Sequence, residues 1–277
     1  SYTETLTADA IHAMTLESGL HRALERREFV VHYQPKVDIR TGRIVGSEAL
    51  VRWQHPEYGL VPPNKFIALA EETGLIGPIS DYVLETACTQ TKHWMDASCQ
   101  QLSVSVNISA RQFQQHRLTK SVRQALRKSC LPAHCLDLEL TESTLMNESD
   151  AVIPVLNEFR ELGVRISVDD FGTGYSSLSF LKRFPVNAVK IDRSFVTDIT
   201  TNPDDAAIAG AVVAMAHSLK LKVCAEGVET IEQLEFLRSL QCDEMQGYFI
   251  SPPISAQEFD ELLWQNRNRD SIARRAA

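Results

Sequence analysis

Eight polar side chains in this sequence stand where they could do chemistry together. The densest stretch is Arg165-Ile-Ser-Val-Asp-Asp-Phe-Gly-Thr-Gly-Tyr175. It alternates polar and apolar residues like a strand, closes on the adjacent acids Asp169 and Asp170, and continues into a loop carrying Gly172 and Gly174. Glu48, Asn107, Glu139, Lys190, Glu226 and Gln246 likewise stand at or near the ends of short apolar segments. Gathered at one point, five carboxylates less one ammonium leave four negative charges. Two carboxylates ~4 Å apart repel by about 4 kcal/mol at an effective dielectric of 20, so such a cluster requires protons or cations. Oxygen donors from Asp, Glu and Asn suit hard ions such as Mg²⁺ or Mn²⁺ rather than zinc. Two divalent ions would bring the local charge to zero, and paired ions can activate water and steady both oxygens of a phosphate ester under attack.

Taken singly, each residue has a plainer explanation: Asp-Asp marks a turn or helix cap, Lys190 a solvated charge, Asn107 a turn. What joins them is the parity of the strands that must carry them. In Ser103-Val-Ser-Val-Asn107 the serines share a face with Asn107 while Val104 and Val106 face the other way. The same division recurs in Arg165 to Asp169, Ala188 to Asp192 and Lys222 to Glu226. In a barrel wrapped by helices the aliphatic face meets the helices, so the polar face points inward and the strand ends meet at the C-terminal mouth.

The remaining elements fit that barrel. Phe29 to Asp38 and Arg43 to Trp53 flank Arg40-Thr-Gly42, a hairpin signature, so the barrel opens with an antiparallel pair. Strand candidates follow at Leu102 to Asn107, Leu136 to Leu140, Arg165 to Asp169, Ala188 to Asp192, Lys222 to Glu226 and Glu244 to Gln246, making eight with the hairpin. Helices alternate with them: one capped by Asn64 and running through Leu69 and Glu72, one over Ile79 to Met95, one begun by Asn202-Pro203, and two announced by the capping boxes Thr230-x-x-Gln233 and Ser255-x-x-Glu258. The expected class is α/β, a modified (β/α)8 TIM-like barrel with an antiparallel first strand. Residues 4 to 28 read as an amphipathic entry helix, either a connector to a preceding domain or a plug for the barrel. This sets off an N-terminal connector segment over 1–24 from the barrel domain over 25–268 and a tail over 269–277.

Composition narrows the function. The 277 residues are 44% hydrophobic and 23% charged, ample for a core, and no apolar run approaches the ~20 residues of a membrane helix. A net charge of -8 argues against binding a nucleic-acid polymer, although a phosphate substrate held through cations remains open. The six cysteines show no metal or redox spacing and read as buried reduced thiols, and the histidines form no metal motif. Gly172-Thr-Gly174 lacks the Lys-Ser/Thr of a P-loop and the third glycine of a dinucleotide fingerprint. The chain begins at Ser1, so it reads as a segment of a longer protein whose other part could hold a sensor or membrane anchor.

From about Leu20 to Trp264 the sequence resembles the EAL-domain phosphodiesterases of bacterial cyclic di-GMP signalling. The resemblance rests on Tyr33-Gln-Pro35, Glu48-Ala-Leu50 with Val-Arg52 after it, Val106-Asn-Ile-Ser109, Glu139-Leu-Thr-Glu142, Asp169-Asp-Phe-Gly-Thr-Gly174, Lys190-Ile-Asp192, Ala225-Glu-Gly-Val-Glu229 and Gln246-Gly-Tyr248. It implies hydrolysis of one phosphodiester bond of cyclic di-GMP to linear pGpG with two divalent cations, Mg²⁺ or Mn²⁺. One cation would be held by Glu48, Asn107, Glu139 and Asp169, the other by Asp169, Asp170 and Glu226. Lys190 would orient the attacking water or offset charge, with Gln246 helping in the same network and Glu48 counted with them as catalytic. Gln34, Leu50 and Arg52 resemble substrate contacts, and Glu142 and Glu229 resemble supports behind the ligands, Glu142 holding the glycine loop. The resemblance also implies a homodimer through the loop after Asp170 and the helix Tyr175 to Lys182, and an upstream GGDEF or sensor domain. It implies a cytoplasmic setting, with the full-length protein a candidate for anchoring at the inner membrane.

Two other readings compete. An EAL-type receptor would bind cyclic di-GMP without cleaving it, but such members typically lose a ligand or the lysine, and this chain keeps them all. A barrel glycosidase would need only one pair of carboxylates, fewer than are present here.

Overall fold

A computed structural model of the chain describes residues 19–114, 117–147, 149–174 and 181–276. Among them, nine strands form one sheet: β1 (Phe29–Asp38), β2 (Ile44–His55), β3 (Gly59–Val61), β4 (Ser103–Asn107), β5 (Leu136–Thr141), β6 (Arg165–Phe171), β7 (Ala188–Ile191), β8 (Lys222–Ala225) and β9 (Glu244–Met245). The sheet closes because β1 pairs with both β2 and β9, antiparallel to each, while β2, β4, β5, β6, β7, β8 and β9 run parallel in that order. The result is an eight-stranded α/β barrel with one reversed strand. The short strand β3, not foreseen from the sequence, folds back on the end of β2 and stays outside the barrel. Three residues are too few to show a period.

The alternation of residue types explains the layers. Val104, Val106, Leu136, Leu138, Leu140, Ile166, Val168, Val189 and Ile191 are buried against the surrounding helices. Their neighbours Ser105, Asp137, Glu139, Ser167, Lys190 and Cys224 are buried too, on the opposite face and therefore inside the barrel. The closing helix Ala256–Ala276 covers the outside of β1, with the Phe259 ring 4.4 Å from Trp94 and 6.1 Å from Tyr33.

Helix starts follow local chemistry. Asn202 accepts from Asp204 N with Pro203 at the first position, and Thr230 and Gln233 form a full capping box. Ser255 and Glu258 bond reciprocally at the start of the closing helix. Asn64 is not a cap: it lies within a 3-10 turn, Pro63–Lys65, and the helix Ile67–Glu72 begins after Phe66 with no side-chain cap. The prolines restrict the backbone ahead of Asn64, so the chain turns before the α-helix starts. The next helix, Ile76–Ser98, is longer at both ends than the apolar period suggested.

Of the proposed opening helix, residues 4–18 lie outside the described residues. Residues 19–25 are helical, with Leu20 and Ala23 buried. All six cysteines are free, but the expectation that they are buried holds for only four. Cys99 and Cys130 are exposed because each ends a helix in the left-handed conformation, at φ of 53° and 56°. Among the described residues no helix is long and apolar enough to cross a membrane.

Candidate active site

The C-terminal mouth of the barrel is organised around Lys190. Its buried ammonium stands 2.5 Å from Glu226, 2.7 Å from Glu139, 3.2 Å from Asp169 and 3.3 Å from Glu48. Three strands, β2, β5 and β6, and the residue just after a fourth, β8, therefore deliver a carboxylate to one cation. Glu48 also accepts from the amides of Asn107 (2.6 Å) and Gln246 (2.7 Å), and Gln246 passes a further bond to Gln34 (2.8 Å). Because Asn107 donates through its amide nitrogen, its oxygen is left as an acceptor. The Gln246 carbonyl oxygen is buried with no hydrogen-bond partner, an acceptor available to a bound water or ligand.

Adjacent residues of a regular strand point to opposite faces, so Asp169 and Asp170 should not both reach the mouth. The register between β6 and β7 slips after Val168, and Asp170 adopts a left-handed φ of 54°. This bulge brings carboxylate oxygens of Asp169, Asp170 and Glu226 within 4.8 Å of one another. Glu142 supports the turn that follows. Its carboxylate accepts from Gly172 N at 3.1 Å, and a Cβ on Gly174 would lie 2.6 Å from its other oxygen, so a side chain there would push the carboxylate aside.

Electrostatics separate the acids. Burial alone would raise Glu139, but Lys190 and Lys36 outweigh it and bring the carboxyl down to about 2. Burial pushes Asp169 up to about 6 against Lys190, helped by the charges of Glu139, Glu48 and Asp170. Burial pushes Glu226 up to about 8, despite Lys190 beside it, because Asp169 and Glu48 add repulsion. Burial would lower Lys190, yet its four carboxylate neighbours hold it well above its ordinary value. One ammonium thus leaves the mouth short of positive charge. The donors fit hard divalent cations: they are oxygens, they already converge on a cation, and they include no histidine or cysteine.

Two depressions adjoin the cluster. A cavity of about 250 Å³ lies directly over it, with Gln34, Glu48, Leu50, Asp169, Glu226 and Gln246 in its wall. A second, of about 370 Å³ and mostly apolar, lies beyond Leu50 and Asn107 toward Ile67, Ile79 and Val83. Arg52 is half-buried, its guanidinium donating to Val51 O at 2.8 Å. Glu229 pairs with Arg193 at 2.9 Å on the rim. A Cβ on Gly227 would lie 2.4 Å from Arg193 Cγ, so the glycine leaves room for that arginine.

Sequence reasoning passed over several groups here. Asp192 stands close enough to Asp170 for its charge to help raise that carboxyl, and it also caps the helix Arg193–Thr197; its signal is its place two residues after Lys190, on the same strand face. Arg193 and Tyr248 line the smaller cavity; Arg193 directly follows the motif Lys190-Ile-Asp192, and Tyr248 closes the motif Gln246-Gly-Tyr248 without having been given a role. Lys36 and Asp137 lie deeper in the barrel, both buried on the inward face. Most of the helix expected over Tyr175 to Lys182 falls outside the described residues.

Comparison with known proteins gives a consistent result. The family model described as "EAL domain" matches residues 17–253. The chain is 46% identical over 258 residues to the bifunctional diguanylate cyclase/cyclic di-GMP phosphodiesterase MucR of Pseudomonas aeruginosa, covering 93% of this chain and 38% of that protein. It is 40% identical over 266 residues to the cyclic di-GMP phosphodiesterase PdeR of Escherichia coli, covering 96% of this chain and 40% of that protein. The chain therefore spans about two fifths of the length of these curated relatives. Among solved structures, the PaMucR phosphodiesterase in complex with c-di-GMP superposes with a TM-score of 0.85 at 47% identity, over 88% of this chain and 99% of that one.

Proposed function

The chain belongs to the EAL domain family, and from that premise we propose that it is a metal-dependent phosphodiesterase that hydrolyses cyclic di-GMP to linear 5'-pGpG. The observation that carries this reading is the convergence of Glu48, Glu139, Asp169 and Glu226 on Lys190, with Asp170 brought alongside by a bulge. In it, Glu48, Asn107, Glu139 and Asp169 would hold one divalent cation, and Asp169, Asp170 and Glu226 would hold the second. The two ions, Mg²⁺ or Mn²⁺, supply Lewis-acid activation of water and neutralise phosphate charge.

The chain's own residues supply position and electrostatics. Lys190, fixed by its carboxylates and withdrawn from solvent, keeps its proton and offsets negative charge as the phosphate is attacked. The free oxygen of Gln246 accepts a hydrogen bond from the attacking water, while its amide stays committed to Glu48 and Gln34. Arg52 exchanges its backbone contact for a phosphate oxygen, Gln34 and Leu50 bound the dinucleotide, and the apolar cavity beyond Leu50 receives a base. Glu142 acts through the loop, keeping Asp169 and Asp170 in the bulged geometry.

The names of two relatives, a bifunctional diguanylate cyclase/cyclic di-GMP phosphodiesterase and an oxygen sensor protein, support a longer protein in which this domain is paired with a diguanylate cyclase or sensor domain. A cytoplasmic setting belongs to the same reading. Dimerisation through the loop after Asp170 and the following helix would then tune the acids at the loop's start. Equal specific activity in monomer and dimer would remove that element of the proposal.

The central test is incubation of the purified domain with cyclic di-GMP and Mg²⁺ or Mn²⁺, with and without chelator, following pGpG by chromatography. Metal-dependent product is expected. Tight binding without product would replace the enzyme by a receptor, and neither binding nor product would overturn the substrate assignment.

A further inference from the structure

Below the mouth lies a second buried cation, and it reaches up into the site. Lys36, on the reversed strand β1, is 4% exposed. Its ammonium donates to Glu139 Oε1 at 2.6 Å, bonds Ser105 Oγ, and stands 4.0 Å from Asp137 Oδ2. Asp137 is held in turn by Ser105 (3.2 Å) and by Ser167, which approaches both of its oxygens at 2.8 and 2.7 Å. The Glu139 carboxylate is thus divided: Oε1 belongs to Lys36 from below, and Oε2 faces Lys190 at 2.7 Å in the mouth.

We propose that Lys36 is a positioning residue that makes Glu139 a one-oxygen ligand, and that it thereby biases the site toward Mg²⁺ and Mn²⁺ over Ca²⁺. The inference rests on the two-cation reading above. Small octahedral ions need one oxygen per ligand in strict geometry, whereas Ca²⁺ takes more oxygens at longer distances and commonly uses both oxygens of a carboxylate. A carboxylate whose second oxygen is committed to a buried ammonium cannot rotate to offer both. Among the described residues nothing else in the floor of the barrel bonds Glu139, because Asp137 meets Lys36 and the two serines rather than the mouth.

The test is calorimetric titration of the chain with Mn²⁺ and with Ca²⁺ in separate experiments, comparing the unaltered protein, Lys36→Met, Lys36→Met with Asp137→Asn, and Asp137→Asn alone. Groups that orient metal ligands typically change metal affinity by ~10- to 100-fold, so the preference for Mn²⁺ over Ca²⁺ should fall by about 10-fold or more in both Lys36 variants and stay unchanged in Asp137→Asn. Where Lys36→Met alone does not fold, the paired variant, which leaves no lone buried charge, carries the test. An equal shift for both ions, no shift, or the same shift in Asp137→Asn would overturn the proposal. Failure of the unaltered chain to bind Mn²⁺ would instead remove the cation reading beneath it.

Discussion

The floor and the mouth of this barrel are built from the same residue types and behave oppositely. In the floor, Lys36 meets Asp137 and Glu139, and Ser105 and Ser167 take up the remaining oxygens. In the mouth a single ammonium, Lys190, faces four carboxylates, with Asp170 and Asp192 alongside. The electrostatic outcome is visible in Glu139, which sits between the two lysines and is held at about 2, against Glu226, which has only one of them and is pushed up to about 8. Buried charge whose oxygens all have donors defines a shape; surplus buried charge stores a demand for something else. In this chain the surplus is of one sign, lies at strand ends and opens to a cavity, so what it demands is cationic and comes from solution.

The largest effects should come from removing mouth acids, and they should have opposite signs for activity and stability. Asp169→Asn takes away an acid that both cation sites would share, and turnover should fall beyond the roughly 100-fold that marks a supporting group. Glu48→Ala should do the same. Yet Asp169 is buried among like charges, so its neutral isostere should stabilise the metal-free protein by on the order of 2 kcal/mol at pH 7. Denaturant unfolding in chelator checks this. A destabilised Asp169→Asn would mean that the mouth is as well matched as the floor.

Next in size is Glu142→Ala, which leaves both acids in place and removes only the acceptor for Gly172 N. If the bulge depends on that bond, Mn²⁺ affinity and turnover should fall together by about 10- to 100-fold. Unchanged Mn²⁺ affinity would show that the bulge holds itself.

Much of this contrast was legible in the sequence, and the reason is periodicity. Period-two alternation in Ser103 to Asn107 and Arg165 to Asp169 fixed which residues face inward, and the glycine turn at Gly42 fixed the reversed strand. The bulge at Asp170 was not legible, because a left-handed aspartate follows from how β6 and β7 pair and not from local composition. The rim pair Arg193–Glu229 was hidden for a similar reason: it joins residues far apart in sequence, through space that only Gly227 leaves open. Lys36 went unnoticed because a lysine beside proline in a hairpin reads as solvated; its burial is a consequence of closure, when β9 joins β1.

A smaller effect follows from pH. In the metal-free protein Asp169 at about 6 and Glu226 at about 8 lie above their ordinary 3.8 and 4.5, so the folded chain binds more protons than the unfolded one. Their contribution to stability is full below about pH 4 and is lost as pH rises toward 8. Glu139, at about 2 against 4.5, acts in the other direction: its contribution is full above 4.5 and is lost as pH falls toward 2. Metal-free stability should therefore peak in the mildly acid range, and saturating Mn²⁺, which favours the ionised acids, should move the peak upward. Denaturation midpoints from pH 3 to 9, with chelator and with Mn²⁺, measure both; coincident profiles would deny the mouth its surplus.

The smallest and most discriminating change belongs to the floor. Ser167→Ala deletes one hydroxyl, and with it the closest neutral donor to Asp137. Asp137 keeps Ser105 at 3.2 Å and Lys36 at 4.0 Å, so it is weakened rather than stranded. Burial already raises Asp137, and losing a donor that favours its ionised form should raise it further. A hydrogen bond to a charged group contributes about 1.5–3 kcal/mol, and with two partners remaining the loss should fall at the lower end, near 1.5 kcal/mol at neutral pH. Mn²⁺ affinity should not move, because Lys36 still divides Glu139 from below. A tenfold loss of Mn²⁺ binding in Ser167→Ala would show that floor and mouth are one network; an unchanged affinity with reduced stability would show that the floor reaches the mouth through Lys36 and Glu139 and not through Asp137.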